Sequence, residues 1–193
     1  MNRCEWCLGS ELYRQYHDTE WGVPVFDDGK HYEFLVLESA QAGLSWLTVL
    51  KKRENYRRAY DGFDPAKAAL YSEKKVEELL SDAGLIRNRR KIEASIVNAR
   101  MFLEVGREFG SFAAYLWGFT RGRPVNGRWR SLAEVPARTE LSDRVARDMK
   151  KRGFRFLGSI IMYAHLQATG LVNDHVLGCF RHQEIKDLKA VFP

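Results

Sequence analysis

Residues 30–60 read KHYEFLVLESAQAGLSWLTVLKKRENYRRAY, and this stretch decides the fold class. From Lys30 to Gln41 the apolar side chains recur at helical spacing, and Gly43 breaks the run. A second helix is expected from Ser45 to about Tyr60, with Leu47, Leu50 and Tyr56 inward and Lys51, Lys52, Arg53, Arg57 and Arg58 outward. Working outward, Asp64-Pro65 opens a short helix through Tyr71, Pro65 fitting a first-turn position. Ser72 caps a helix from Glu73 to Ala83, Gly84 to Arg87 forms a short hairpin, and Lys91 to Val105 is helical again. Phe109 to Phe119 makes a further helix. Gly118 to Arg138, holding Pro124, Gly127 and Pro136, reads as a long loop. Ser142 is the expected cap of a helix ending at Gly153, Gly158 to Thr169 is an apolar helix, and Asp174 starts the last stretch. No run alternates long enough to define a sheet. The fold expected is all-α.

The chain has 193 residues, one domain's worth, and 45% of them are apolar, enough for a real core. Lys and Arg outnumber Asp and Glu by 31 to 25, a net charge of +6 that suits a polyanionic partner. No apolar run is long enough to cross a bilayer, and MNRCEWCLGS lacks the layout of a signal peptide, so a cytoplasmic protein without a membrane partner is expected. Eight aromatics (Trp6, Tyr13, Tyr16, Trp21, Phe26, Tyr32, Phe34 and Trp46) crowd the first 46 residues, where core-building alone would favour Leu and Ile.

Three cysteines make an odd count, which argues against a disulfide framework and for thiol or metal chemistry. Cys4 and His17 near one end and His175 and Cys179 near the other form a Cys₂His₂ set suited to a closed tetrahedral zinc site. His175 and Cys179 are four apart, which on a helix places them on one face. Cys4-x-x-Cys7 is a rival pairing, with no second CxxC to complete it. Glu38 sits among Phe34, Leu35 and Ala42 on an apolar helix face, where a carboxylate needs a partner or a job. Glu20, Glu33 and Glu54 read as solvent-facing. Three basic stretches offer themselves to a phosphate backbone: Arg87, Arg89, Arg90 and Lys91; Arg121, Arg123, Arg128 and Arg130; and Arg144, Arg147, Lys150, Lys151, Arg152 and Arg155. Aromatics beside them suit base stacking. Trp129 fits no motif, and His165 reads as a core histidine.

Several strings are more specific. Arg3-Cys4-x-Trp6, Tyr16-His17-Asp18-x-Glu20-Trp21-Gly22-Val23-Pro24, Glu38-x-x-Gln41-Ala42-Gly43-Leu44-Ser45-Trp46, Lys51-Lys52-Arg53-Glu54-Asn55-Tyr56, Lys150 to Gly158 and Gly170-Leu171-Val172-Asn173-Asp174-His175 together resemble the 3-methyladenine DNA glycosylase I family, from Arg3 to about Cys179. The resemblance implies a helix-hairpin-helix DNA glycosylase fold, a single catalytic unit over 1–193. Its hairpin lobe would span about 45–115, and its terminal lobe about 1–44 and 116–193. It implies one structural Zn²⁺ on Cys4, His17, His175 and Cys179. It implies a base pocket of Trp6, Tyr16, Trp21 and Trp46 with Glu38 as the catalytic carboxylate. DNA would be met by Gln41, Gly43, Leu44, Gly84, Arg87, Arg89 and Lys91, with Leu44 the intercalating wedge. The implied activity is hydrolysis of the N-glycosidic bond of 3-methyladenine in alkylated double-stranded DNA, releasing the free base without lyase activity. A monomer is expected. Many relatives in the superfamily carry a catalytic Asp after the hairpin, but here Lys91 to Val105 offers only Glu93 and Glu104. A reading from another class is a non-catalytic zinc-stapled helical DNA-binding protein, which gives Glu38 no purpose.

Overall fold

The computed structural model describes residues 2–193. Its helices are α1 (Glu11–Thr19), α2 (Asp28–Gln41), α3 (Trp46–Ala59), α4 (Pro65–Ala68), α5 (Glu73–Ser81), α6 (Arg89–Phe109), α7 (Phe112–Gly118), α8 (Glu140–Lys151), α9 (Ser159–Ala168) and α10 (Phe180–Asp187). The helical expectation holds, with one addition inside and beyond the long loop. Val125–Asn126 (β1) and Val172–Asn173 (β2) pair in parallel, a two-residue ladder too short to leave a periodic signal.

Caps fix most boundaries. Asp27 accepts from the Lys30 amide, Ser45 from Thr48, Asp64 from Ala66 and Lys67, Asn88 from Lys91, and Ser111 from Ala114. Two caps differ from expectation. Thr139, not Ser142, is the N-cap of α8; Ser142 sits at the third helical position and completes a reciprocal capping box. Ser72 precedes α5 without a side-chain capping bond. A single expected helix at Phe109–Phe119 proves to be the end of α6 and the whole of α7, separated by Gly110.

Helix α2 is the axis of the molecule. Every residue from His31 to Ala40 is buried, and α3, α6, α7 and α9 pack around it. Asp28 at its start accepts hydrogen bonds from the Phe112 and Ala113 amides (2.9 and 2.8 Å), tying α2 to the start of α7. At its far end Lys91 Nζ donates to the carbonyls of Ala40 (2.9 Å) and Ala42 (2.6 Å), tying α2 to α6. The 21–25 segment is seated on the end of α9 at Gly170, which has φ +70°; a Cβ there would lie 2.4 Å from Val23 C and Pro24 N.

The surface expected of α3 is partly an interior. Arg53 donates through two nitrogens to Glu20 (2.6 and 2.7 Å) and through Nε to Glu33 (2.6 Å); Lys30 and Arg57 join the same carboxylates. Glu33 is only 3% exposed. Glu33 and Glu20 are therefore not solvent-facing, whereas Glu54 is. Val49, on the same helix, is buried completely although Leu47 is not. The network crosses from α1 to α2 and α3, and truncating one member of such a set leaves charge uncompensated. Arg53→Ala is expected to lower stability by about 3 kcal/mol, read from urea unfolding, with exposed Arg58→Ala changing it by less than ~0.5 kcal/mol as control.

Candidate active site and metal centre

Cys4, His17, His175 and Cys179 converge, all buried, with their ligand atoms within 4.8 Å of one another. His175 and Cys179 do not lie on a helix as expected: His175 follows β2, and Cys179 is brought back by a turn in which its amide bonds Val176 O at 2.8 Å. His17 Nδ1 bonds Asp18 Oδ1 (2.8 Å), and His175 Nε2 bonds the Trp21 carbonyl (3.0 Å). Both bonds place the hydrogen on the outer nitrogen, so His17 Nε2 and His175 Nδ1 turn bare lone pairs toward each other at 3.2 Å. Sulfur–nitrogen separations are 3.4, 3.6 and 3.7 Å. Tetrahedral bonds of about 2.0 Å to nitrogen and 2.3 Å to sulfur give separations of about 3.3 and 3.5 Å. Donor chemistry and spacing therefore fit a metal ion. The two thiols are coupled: the hydrogen bond from Cys4 is the largest factor pulling Cys179 down, and the same bond pushes Cys4 up, so without a cation the pair does not ionise together. Cys7 stands apart, its Sγ donating to Cys4 O at 3.0 Å, and the Cys4–Cys7 pairing is not formed.

Beside the cluster opens a cleft of about 380 Å³. Trp6, Tyr16, Trp21, Trp46, Glu38 and Gln41, all singled out in the sequence, line it together. Trp6 packs edge-on to Trp21 (5.1 Å) and Tyr16 (6.3 Å). Tyr16 and Trp46 lie 5.7 Å apart and tilted by 49°, so no base fits between that pair, since a sandwiched ring needs about 7 Å. The lining residues of the opposite wall were not singled out in the sequence. That wall comes from Leu132, Val135, Pro136 and Ala137 of the long loop and from Ile160, Tyr163 and Gln167 of α9. Asp174 closes it, accepting from Trp129 Nε1 (2.7 Å), Gln167 Nε2 (2.8 Å) and the Tyr163 hydroxyl. Trp129, without a motif in the sequence, thus braces the loop against the cleft.

Glu38 lies at the cleft's inner end, 3% exposed, and its Oε2 has no hydrogen-bond partner. Burial pushes its pKa well above the ordinary glutamate value. Burial, then the Glu38 charge, raises Tyr16 likewise. Trp46 Nε1 is a second buried group without a partner. The cleft thus presents an aromatic box with an unmet acceptor and an unmet donor.

The loop between α2 and α3 projects Leu44, 39% exposed, while Gln41 Nε2 bonds Leu44 O at 2.6 Å and holds the turn. In the hairpin before α6, the amides of Gly84, Leu85 and Ile86 are already bonded to Asp82, Asp82 and the Tyr56 hydroxyl. Arg89 is paired with Glu73, Glu77 and Glu93 at the surface, and Lys91 with the carbonyls of Ala40 and Ala42, so each cation already has protein partners. Arg87 and Arg90 are exposed at the start of α6.

A stability test follows from Glu38. Its folded-state pKa is raised, so the contribution is fully favourable below 4.5 and is lost as pH rises toward the folded value. Glu38→Gln is expected to match the parent below that pH and to become the more stable protein above it. The gap should widen by up to about 1.4 kcal/mol per pH unit in urea melts.

Comparison with known proteins agrees over most of the chain. A family model described as methyladenine glycosylase matches residues 6–182. DNA-3-methyladenine glycosylase 1 of Escherichia coli (strain K12) is 49% identical over 179 residues, covering 93% of this chain and 96% of the relative. A crystal structure of 3-methyladenine DNA glycosylase I superposes with a TM-score of 0.90 at 50% identity, covering 93% of this chain and 98% of that one. A Staphylococcus aureus structure, described as giving the basis of 3-methyladenine recognition, superposes at 0.89 with 33% identity, covering 93% and 96%.

Proposed function

The chain belongs to the methyladenine glycosylase family, and on that premise we propose that its cleft receives a flipped 3-methyladenine from alkylated double-stranded DNA and hydrolyses the N-glycosidic bond. The observation that carries this reading is Glu38, a buried carboxyl without a partner at the end of an aromatic cleft. N3-methylation makes the base a cation, so the bond is already weakened and the purine departs neutral. The nucleotide must leave the stack, at a cost of a few kcal/mol. Trp46 and Trp6 face the purine, and cation–π attraction adds roughly 1–2 kcal/mol in a desolvated box. Glu38 accepts from the exocyclic amine and supplies the counter-charge that neutral adenine does not need. Water completes the cleavage, leaving an abasic site and free 3-methyladenine. Lys91, just after the hairpin, has its amine on two carbonyls, and Lys52 donates to Ala83 O (2.7 Å), which supports an enzyme without lyase chemistry.

DNA is held in this reading by a helix-hairpin-helix formed by α5, the 82–88 turn and α6. Arg87 and Arg90 meet the phosphates beside the first amides of α6. Gly84 shapes the turn, because a Cβ there would lie 2.7 Å from Asn55 Nδ2. Arg89 and Lys91 act by holding the hairpin rather than by touching DNA. Leu44 enters the duplex, with Gln41 and Gly43 shaping its turn. The hairpin lobe and the terminal lobe share α2 between them. Cys4, His17, His175 and Cys179 would hold one structural zinc ion, which supplies a closed cross-link and no catalytic position. Among the described residues no helix is long and apolar enough to cross a membrane; a monomer acting on DNA in the cytoplasm fits.

Purified protein incubated with methylated duplex DNA is expected to release 3-methyladenine, identified by chromatography; no release overturns the reading in favour of a non-catalytic DNA-binding protein. Glu38→Gln should reduce single-turnover excision about 100-fold. Elemental analysis should find one zinc per chain, lost in Cys179→Ser, and unchanged content in that variant would remove Cys179 from the ligand set.

A further inference from the structure

Behind Glu38 runs a chain of buried imidazoles that excision, as described, leaves without a role. His165 on α9 has its Nδ1 3.4 Å from Glu38 Oε2, and its Nε2 3.2 Å from His31 Nδ1 on α2. His31 Nε2 in turn lies 3.1 Å from the Val25 carbonyl oxygen. Both rings are completely buried.

The hydrogens along this chain follow from its far end. A carbonyl only accepts, so His31 Nε2 carries the hydrogen. Burial, reinforced by the neighbouring His165, pushes His31 down to about 3, and burial does the same to His165, so both rings are neutral. A neutral imidazole has one N–H. His31 Nδ1 is therefore a bare acceptor, and His165 Nε2 must donate to it. That leaves His165 Nδ1 bare, with its lone pair toward Glu38 Oε2. Neither of these two atoms has another partner. An ionised carboxylate would set two lone pairs against each other in a buried site, whereas one proton between them satisfies both.

We propose that His165, locked by His31 into the tautomer with a bare Nδ1, is a positioning residue that keeps one proton on Glu38 Oε2 in the unliganded enzyme, so that a cationic purine binds with release of that proton. The carboxyl O–H bond breaks, its electron pair stays on Glu38, and the proton passes through the cleft to water. Once the N-glycosidic bond is cleaved the purine is neutral, and the proton returns from water. Ligand charge is thereby read twice, in favour of the methylated base on entry and against the neutral product afterwards. The ligand's identity rests on the excision reading above, while the tautomer chain belongs to the protein alone. The other titratable groups facing this assembly are Tyr16 from α1, itself near Glu20, Glu33 and Arg53, and Asp27 and Asp28 beside His31. Tyr163 and Asp174 line the same cleft.

Nitrogen-15 NMR of the labelled protein near neutral pH reads the tautomers directly. Hydrogen on Nε2 and a bare Nδ1 are expected for both rings; a cationic His165, or one with hydrogen on Nδ1, overturns the lock. The permanent cation 3,9-dimethyladeninium, which has no sugar to lose, is the probe for the coupling. Its Kd should fall up to tenfold per pH unit until Glu38 ionises in the free protein. In His165→Phe the levelling point should move down by about half a unit or more, because the acid form loses its acceptor. In His31→Leu it should also move down, because the freed His165 can donate from Nδ1 to the carboxylate. Affinity independent of pH in the parent, or unchanged profiles in both variants, overturns the proposal. Expected tautomers with no binding of the cation overturn the coupling and the excision reading together, whereas binding with the wrong tautomers overturns the lock alone. The parent's profile and tautomers stand as tests whether or not either variant folds.

Discussion

The junction of Cys4, His17, His175 and Cys179 is the constraint on which the cleft depends. Three aromatics of the near wall, Trp6, Tyr16 and Trp21, are attached to it by a short stretch of chain or a single hydrogen bond. Trp6 is two residues past Cys4, Tyr16 immediately precedes His17, and the Trp21 carbonyl is the acceptor for His175 Nε2. Gly22, at φ +81°, lets the chain pass the His175 ring, where a Cβ would come within 2.9 Å of Nε2. A loosening of the junction would not merely fray the two ends of the chain. It would separate the aromatic wall carried by residues 4–21 from the wall carried by α9 and Asp174. Arg3 and Asp18 reinforce it from outside: Arg3 grips Asp18 through two nitrogens (2.8 to 3.0 Å), and Asp18 fixes the ring of His17.

Inside that frame, opposing electrostatics are held a short distance apart. Arg53 is held between the carboxylates of Glu20 and Glu33, so this half-buried cation is compensated where it lies. Glu38, one turn and a half along α2 from Glu33, has no cation at all. The helix thus carries two buried glutamates in opposite circumstances, one compensated and one waiting. Burial without compensation makes the second a poor anion until a positive guest arrives, and the neighbouring rings offer such a guest their negative faces.

How far this could be read from the sequence varies with the range of the interaction. Helix starts marked by a local cap at Ser45 and Asp64 were legible because the cap and the amides it holds are two or three residues apart, whereas the caps Asp27 and Asn88 went unread and both helices begin two residues earlier than the apolar spacing indicated. The aromatic box and the four cluster residues were legible through specific strings. Arg53 and Glu33 were misplaced because a helical wheel puts charge outside, and only contact with Glu20, more than thirty residues before Arg53, brings them in. His31 and His165 are 134 positions apart, and nothing local joins them. The far wall of the cleft lies in a loop whose backbone has no period, so Leu132 and Pro136 carried no signal. The two-residue β1–β2 ladder that anchors this loop was invisible for the same reason.

The hairpin and the projecting turn are mechanically one piece, and Lys91 is the reason. Its amine spans from the first turn of α6 to the last carbonyls of α2, where Ala40 and Ala42 would otherwise expose unpaired acceptors. Burial lowers the pKa of this lysine, yet a helix C-terminus is where a cation is favoured, so the site tolerates the charge it has partly desolvated. The start of α6 and the Leu44 turn are therefore held apart by no more than the length of one lysine side chain. Glu38 lies less than one turn before Gln41 on the same helix. The start of α6, the Leu44 turn and Glu38 are thus spaced by one rigid element, and in the function proposed above a single docking geometry would serve all three.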